Sequence, residues 1–308
     1  MISEGKQMKV LVTGGHGLLG SSIGFGVKPS RKELDILNYN DLDRFVESNG
    51  IESIIHAAAL VGGVKANTDY VFDYFLKNME MNTNVIRVCG KYSLKKSIYI
   101  ISTCAFPKSA PLPLREEFLH DGEPHETNYG YAYAKRMLEV GSRSLNQQYG
   151  LSSCCLIPCN LYGENDNYHI QNGHVIPSLI HKCYLAKTNN TDFEIWGSGK
   201  AEREFMYASD FAEIITKIHK DDMKINGTMI VSPDCIFSIE NIVHVIVKQM
   251  GFKGNVVFDK SKPEGIMKKN SDNSIFRQHF PNFKFTDLET GLANTIEYFM
   301  KNYDIIRK

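Results

Sequence analysis

Short runs of consecutive apolar residues alternate along this chain with longer stretches whose apolar positions recur every three or four residues. Lys9-Val-Leu-Val-Thr13, Ser53-Ile-Ile-His-Ala57, Ser97-Ile-Tyr-Ile-Ile101 and Cys154 to Ile157 read as strands buried on both faces, because apolar residues follow one another in them instead of alternating with polar ones. Tyr70–Gly90 and Tyr131–Tyr149 read as long helices, the second with Met137, Val140 and Leu145 at helical spacing. Strands alternating with helices predict an α/β fold, a Rossmann-type doubly wound parallel sheet covered on both faces. The segment from Gly20 to Asp35 is short, so a second strand there is brief, over Gly26 to Ser30. Past Gly163 the pattern loosens. Glu164 to His174 is polar, Val175 to Ala186 looks helical, and Phe193-Glu-Ile-Trp196 followed by Gly197-Ser-Gly199 reads as strand and turn. Met229-Ile-Val-Ser232 reads as a return to the main sheet. The expected division is a larger domain, 1–163 with 207–234, and a smaller C-terminal α/β lobe, 164–206 with 235–308.

A chain of 308 residues exceeds the length at which one core usually stops growing, which agrees with two unequal parts. Its 35 basic and 35 acidic residues balance, and no block of like charge stands out, so the sequence offers no nucleic-acid or anionic-membrane surface. The polar start, Met1 to Lys9, leads into an apolar run of only Val10-Leu-Val12, too short for a secretion signal or a membrane span; a cytoplasmic location is the expectation. Seven cysteines in no metal-binding spacing predict free thiols and no metal, with Cys89, Cys154 and Cys155 serving as small buried hydrophobes.

Directly after the first strand comes Thr13-Gly-Gly-His-Gly-Leu-Leu-Gly20. Glycines at 14, 17 and 20 permit a tight turn, close approach of backbone to a pyrophosphate, and close helix packing. At the first strand-to-helix junction of an α/β chain, this predicts a dinucleotide site in the larger domain. Arg31 and Lys32 follow the brief second strand and suit a 2′-phosphate, with Asp35 placed to meet the adenine, so the expected cofactor is NADPH.

Among Tyr129, Tyr131 and Tyr133, only Tyr131 has a lysine one helical turn later, Lys135. A phenol with a reference pKa near 10 moves protons poorly at neutral pH, and a neighbouring ammonium brings it closer to working range. Ser102 ends the third strand, where α/β enzymes place ligands, and is positioned to hydrogen-bond a substrate oxygen. Cys104 lies two residues further on; in an extended segment its side chain would share the Ser102 face.

Through Gly14-Gly-His-Gly-Leu-Leu-Gly20, His56-Ala57-Ala58-Ala59, Ser102 and Tyr131-Ala-Tyr-Ala-Lys135, the chain resembles the extended short-chain dehydrogenase/reductase family. The resemblance implies a cofactor resting on Ala57 and Ala58 as well as on the glycine loop, Tyr131 and Lys135. Ser102-Thr-Cys-Ala-Phe-Pro107, Asn160-Leu-Tyr-Gly163 with Asn165-Asp-Asn167, Gly173-His-Val-Ile-Pro177, and Trp196-Gly-Ser-Gly199 with Arg203-Glu-Phe205 narrow it to members that epimerise and reduce a GDP-linked 4-keto-6-deoxy sugar. For those members a 4-keto group acidifies C3 and C5, and each inversion needs a base on one face and an acid on the other. The resemblance suggests Cys104 as base and His174 as acid, with Tyr131 protonating the C4 oxygen during hydride transfer. It also implies that Asn160, His174, Lys182, Trp196, Arg203 and Lys269 contact the GDP-sugar, and that two subunits pair through the long helices as a homodimer. Alternatives are a relative acting on a sugar without the 3-hydroxyl, a nucleotide-sugar 4-epimerase or dehydratase, and a nucleotide-binding scaffold without turnover. A dehydratase would place an acidic residue where Cys104 stands.

Overall fold

Five parallel strands, Val10–Thr13, Ser53–His56, Ile98–Ile100, Cys154–Pro158 and Gly227–Val231, lie side by side in that order in the computed structural model. The structure describes residues 8–221, 223–225, 227–262 and 265–308, so the polar start up to residue 7 lies outside the described residues. Each strand alternates its side chains between two cores. Leu11, Ile54, Tyr99, Cys155 and Ile230 face one, with Leu42, Val85, Val88, Leu138 and Leu145 from the helices Tyr39–Asn49, Val71–Lys91 and Tyr129–Tyr149. Val12, Ile55, Ile100, Leu156 and Met229 face the other, with Phe211, Ile214, Ile215 and Ile218 from the helix Ala208–Lys220.

The strand expected over Gly26 to Ser30 is reduced to one bridging residue. Val12 N–H donates to Val27 O at 2.9 Å and Val27 N–H to Val10 O at 2.8 Å. Gly26 takes a φ of +84° against Val12, and Pro29, two residues past Val27, has no N–H to continue a ladder, so pairing stops there. Winding therefore reverses at the first strand, with Val27 on one side of it and the other four strands on the opposite side.

The two long helices pack closely. A side chain at Gly141 would meet Ile86 Cδ1 at 2.2 Å, and one at Gly130 would meet Val71 O at 2.5 Å. Their outer faces leave Tyr70, Phe72, Phe75, Leu76, Tyr129 and Met137 exposed, Phe72 by 71 %.

The third core belongs to the later part of the chain. The helices Val175–Asn189, Ile239–Met250 and Leu288–Lys301 cover a parallel strand pair, Phe193–Trp196 with Val256–Asp259, through Ile180, Phe193, Ile246, Leu292 and Phe299. Two small sheets join this part to the main one: Asn160–Tyr162 pairs with Phe205–Tyr207, and Glu202–Arg203 lies between Phe237–Ser238 and Lys268–Lys269. Among the described residues, no helix is long and apolar enough to cross a membrane and no group of three His, Cys, Asp or Glu residues is arranged to hold a metal ion.

Candidate active site

The glycine loop closes tightly against the sheet. Gly14 has a φ of +69°, and a side chain there would lie 2.8 Å from Ala58 Cα; one at Gly20 would lie 2.2 Å from Gly14 O. At Gly17 the nearest such atom is 3.4 Å away, so the loop is open on that side. A dinucleotide diphosphate needs backbone amides presented without intervening Cβ atoms, and these residues fit that requirement. Thr13 Oγ accepts a hydrogen bond from Ala58 N–H at 3.3 Å, fastening the end of the first strand to the end of the second. Arg31 and Lys32 are exposed in the turn that follows the Val27 bridge, and Asp35 is also exposed, its carboxylate accepting from Leu37 N–H.

Tyr131 and Lys135 lie on one face of the helix Tyr129–Tyr149, and both are buried, to 7 % and 2 % exposure. Lys135 Nζ donates to Ile100 O at 2.8 Å, at the end of the third strand, and lies 5.9 Å from the centre of the Tyr131 ring. Burial brings the Lys135 ammonium down to about 8. Burial also pushes the Tyr131 phenol well above its ordinary range; charge on Cys104 adds to this, and the Ser102 hydroxyl within reach of the phenol offsets part of it. Desolvation therefore moves the phenol in the direction opposite to the tuning expected from the Tyr–Lys spacing, and the ammonium is committed to a backbone carbonyl.

Ser102 and Cys104 do not sit on one extended segment. The chain turns at once into a 3-10 helix, Thr103–Ala105, and Ser102 Oγ accepts from Cys104 N–H at 3.2 Å. A serine hydroxyl that binds the backbone two residues on favours a turn over a continued strand, which is why strand alternation fails here. The turn still delivers Cys104 beside Tyr131, where it packs against Ala66, Tyr74 and Tyr131 with Ala59 and Leu60. Two cations grip the turn from opposite sides. Arg136 Nε donates to Ala105 O at 2.6 Å, and Lys269 Nζ, from the later part of the chain, donates to Thr103 O at 2.9 Å. Burial lowers the pKa of Lys269 and of Arg203, while charge on Cys104 opposes the shift in both, so the two basic groups lie within electrostatic reach of the thiol.

His174 caps the start of the helix Val175–Asn189. The preceding loop docks on the segment 59–63: Gly63 N–H donates to Asn172 O at 3.0 Å, and a side chain at Gly62 would meet Tyr74 Oη at 2.6 Å and Asn172 O at 3.3 Å. Asn78 clasps the same segment through Leu60 N–H and O, each at 2.9 Å. Cys104 and the loop that leads into His174 thus both border the segment 59–63. His174 Nδ1 pairs with Asp166 Oδ1 at 3.2 Å, and that carboxylate oxygen also accepts from Asn167 N–H at 2.7 Å. Burial disfavours charge on His174, but the Asp166 carboxylate outweighs it and raises the imidazole pKa.

The remaining residues read from the sequence sit in the later part of the chain or at its joint. Asn160 donates to Glu204 O at 2.8 Å, Lys182 Nζ lies 4.7 Å from the centre of the half-exposed Trp196 ring, and the Arg203 guanidinium donates to Glu202 O and Ile266 O. Two residues that the sequence reading quoted only within motifs, without a role, find partners here. Asp166 stands eight positions before His174 in a loop, where no periodicity flags a pair. His56 belongs to the apolar second strand and is wholly buried, with Nδ1 2.7 Å from Thr13 Oγ and Nε2 3.0 Å from Asn82 Oδ1.

Comparison with known proteins adds the family. A profile of the NAD dependent epimerase/dehydratase family matches residues 26–231. GDP-L-fucose synthase of Dictyostelium discoideum is 37 % identical over 97 % of this chain and 97 % of its own length, and GDP-L-colitose synthase of Yersinia pseudotuberculosis is 36 % identical over 96 % and 100 %. The crystal structure of a GDP-L-fucose synthetase from Naegleria fowleri bound to NADP superposes with a TM-score of 0.90 at 34 % identity, covering 98 % of this chain and 97 % of the other.

Proposed function

The chain belongs to the NAD dependent epimerase/dehydratase family, and from that premise we propose that it converts GDP-4-keto-6-deoxy-mannose to GDP-L-fucose by inverting C3 and C5 and reducing C4 with NADPH. The observation that carries this reading is Cys104: a thiol packed against the tyrosine of a hydride site, where simple reductases need none, in a chain that is 37 % identical to a GDP-L-fucose synthase. In this reading Gly14, Gly17 and Gly20 hold the cofactor pyrophosphate against Ala57 and Ala58, Arg31 and Lys32 meet its 2′-phosphate, and Asp35 faces the adenine. When bound, NADPH supplies the hydride that reduces C4.

The protein's own groups handle the protons. Cys104 removes the acidified proton at C3 and at C5, and His174 delivers one to the opposite face. Ser102 donates to the C4 oxygen: its own oxygen accepts from Cys104 N–H, and its hydrogen turns from the neighbouring Tyr131 phenol to substrate. Tyr131 then protonates that oxygen as the carbonyl becomes an alcohol, and Lys135 grips the nicotinamide ribose. Asn160, Lys182, Trp196, Arg203 and Lys269 hold the GDP-sugar, with Arg203 on the diphosphate. The same proposal divides the chain into a dinucleotide domain, 1–163 with 207–234, and a substrate lobe, 164–206 with 235–308. It pairs two subunits through the exposed Phe72, Phe75 and Tyr129 of the long helices, and it places the protein in the cytoplasm.

Incubation with GDP-4-keto-6-deoxy-mannose and either NADPH or NADH tests the reading. The expected result is oxidation of NADPH, slower oxidation of NADH, and GDP-L-fucose as product. Faster turnover of the analogue without the 3-hydroxyl would move the assignment to the colitose-type reaction, which the 36 % identical relative favours. No oxidation with either sugar would overturn the reading.

A further inference from the structure

We propose that Asp166 is a positioning residue that holds the His174 imidazolium by its Nδ1–H and so presents Nε2–H as the proton donor of the epimerisation; this rests on the function proposed above. A carboxylate has no hydrogen to give, so the contact between Asp166 Oδ1 and His174 Nδ1 requires the proton on Nδ1 and leaves Nε2 as the atom available to substrate. The carboxylate itself is held in place. Its Oδ1 accepts from Asn167 N–H, and the Asp166 side chain is 1 % exposed whereas that of His174 is 37 % exposed. Oδ2 is buried with no hydrogen-bond partner among the described residues, so the contacts to His174 and to Asn167 N–H both fall on Oδ1.

The surroundings show why one carboxylate decides the matter. Burial disfavours the imidazolium, and so does Arg307. His174 is also the N-cap residue of the 15-residue helix Val175–Asn189, without a capping bond from its side chain, and the helix dipole there disfavours a cation. Asp166 is the one group facing the ring, among the described residues, that favours charge, and it prevails. Remove its charge while keeping its shape, and every remaining influence points to a neutral ring.

The direction of the chemistry follows from what surrounds the ring. His174 sits against an anion, which favours holding a proton on that ring and makes it the donor.

The test is Asp166→Asn, which retains an acceptor for Nδ1–H. The His174 resonance, identified by its loss in His174→Gln, is followed by NMR against pH in both proteins. The expected midpoint in Asp166→Asn is lower by about one unit or more. Deuterium exchange from solvent into C3 and C5 of the substrate should slow by about 10- to 100-fold at pH 8 and recover as the pH is lowered, because the acid form of His174 is restored. NADPH affinity should stay within a factor of two. An unchanged midpoint overturns the proposal, and so does an equal loss of exchange at every pH. If Asp166→Asn does not fold, ¹⁵N shifts of the wild-type ring at pH 6.5 decide: hydrogen on both ring nitrogens supports the proposal, and a neutral ring of either tautomer overturns it. The NMR arms need no substrate. Failure of the proposed reaction would therefore appear as absent turnover in the wild type, apart from the fate of Asp166.

Discussion

Two histidines in this molecule meet opposite fates. His56 lies inside the sheet, fully buried, between the neutral groups Thr13 and Asn82 and near Lys135; burial, reinforced by the lysine charge, drives its pKa down to about 3. His174 lies at a loop-to-helix junction against Asp166, and its pKa rises although burial opposes it. Solvent removal acts in the same direction on both rings, so the sign is set by the charge of the partner. The hydrogen-bond directions at His56 follow as well. Asn82 Nδ2 donates to Ala134 O at 2.8 Å, so its Oδ1 faces the ring and His56 Nε2 carries the hydrogen; Nδ1 is then the acceptor for the Thr13 hydroxyl. A neutral histidine thus ties the beginning of the glycine loop to the backbone beside Lys135, while the other is paired with a carboxylate and, in the proposed chemistry, supplies a proton.

The contrast is best broken at the cleft. Cys104→Ala and His174→Gln should each cut solvent-deuterium exchange at C3 and C5 by about 10²- to 10⁴-fold while leaving NADPH binding and folding intact. Exchange at the wild-type rate in either variant would remove that side chain from the chemistry. His56→Leu should do the reverse, lowering stability by about 1–3 kcal/mol for each of Thr13 and Asn82 left unpaired, as read from urea unfolding. A loss of turnover without a loss of stability would make the interior histidine a participant after all.

The smallest effect is on the pH dependence of stability. The folded-state pKa of His56 lies below its unfolded value, so the unfolded chain binds the extra proton and stability declines as pH falls below about 6.5, by up to about 1.4 kcal/mol per unit towards pH 3. The raised pKa of His174 contributes stability that is complete below about 6.5 and lost as the pH rises through its folded value. His56→Gln should flatten the acid limb of an unfolding-free-energy profile, and His174→Gln should leave that limb and change the other.

Much of the fold was legible because buried parallel strands and amphipathic helices write themselves into the sequence. Ser53–His56 and Phe193–Trp196 fall within a residue of their expected ends, and the helix read over Val175 to Ala186 runs on to Asn189, where Asn190 stops it with a φ of +54°. Gly26 and Pro29 shortened the brief second strand further than its apolar content suggested. At the site, residues on regular elements were the readable ones: Tyr131 and Lys135 share a helix face because 3.6 residues make a turn. Cys104 was located, but its geometry was misjudged because strand alternation was carried past the point where Ser102 binds Cys104 N–H. Asp166 was seen within Asn165-Asp-Asn167 but given no role, for a different reason. Its meaning arises only when a loop folds back on a helix start, and a separation of eight residues has no period to betray it.

The turn at Thr103–Ala105 has a further consequence. One hydroxyl both anchors the amide of the sulfur-bearing residue and, in the proposed chemistry, steadies the oxygen being reduced. Stereochemical inversion and electron delivery would then share a single hinge of main chain, so trimming that hydroxyl to a methyl group would slacken both operations together.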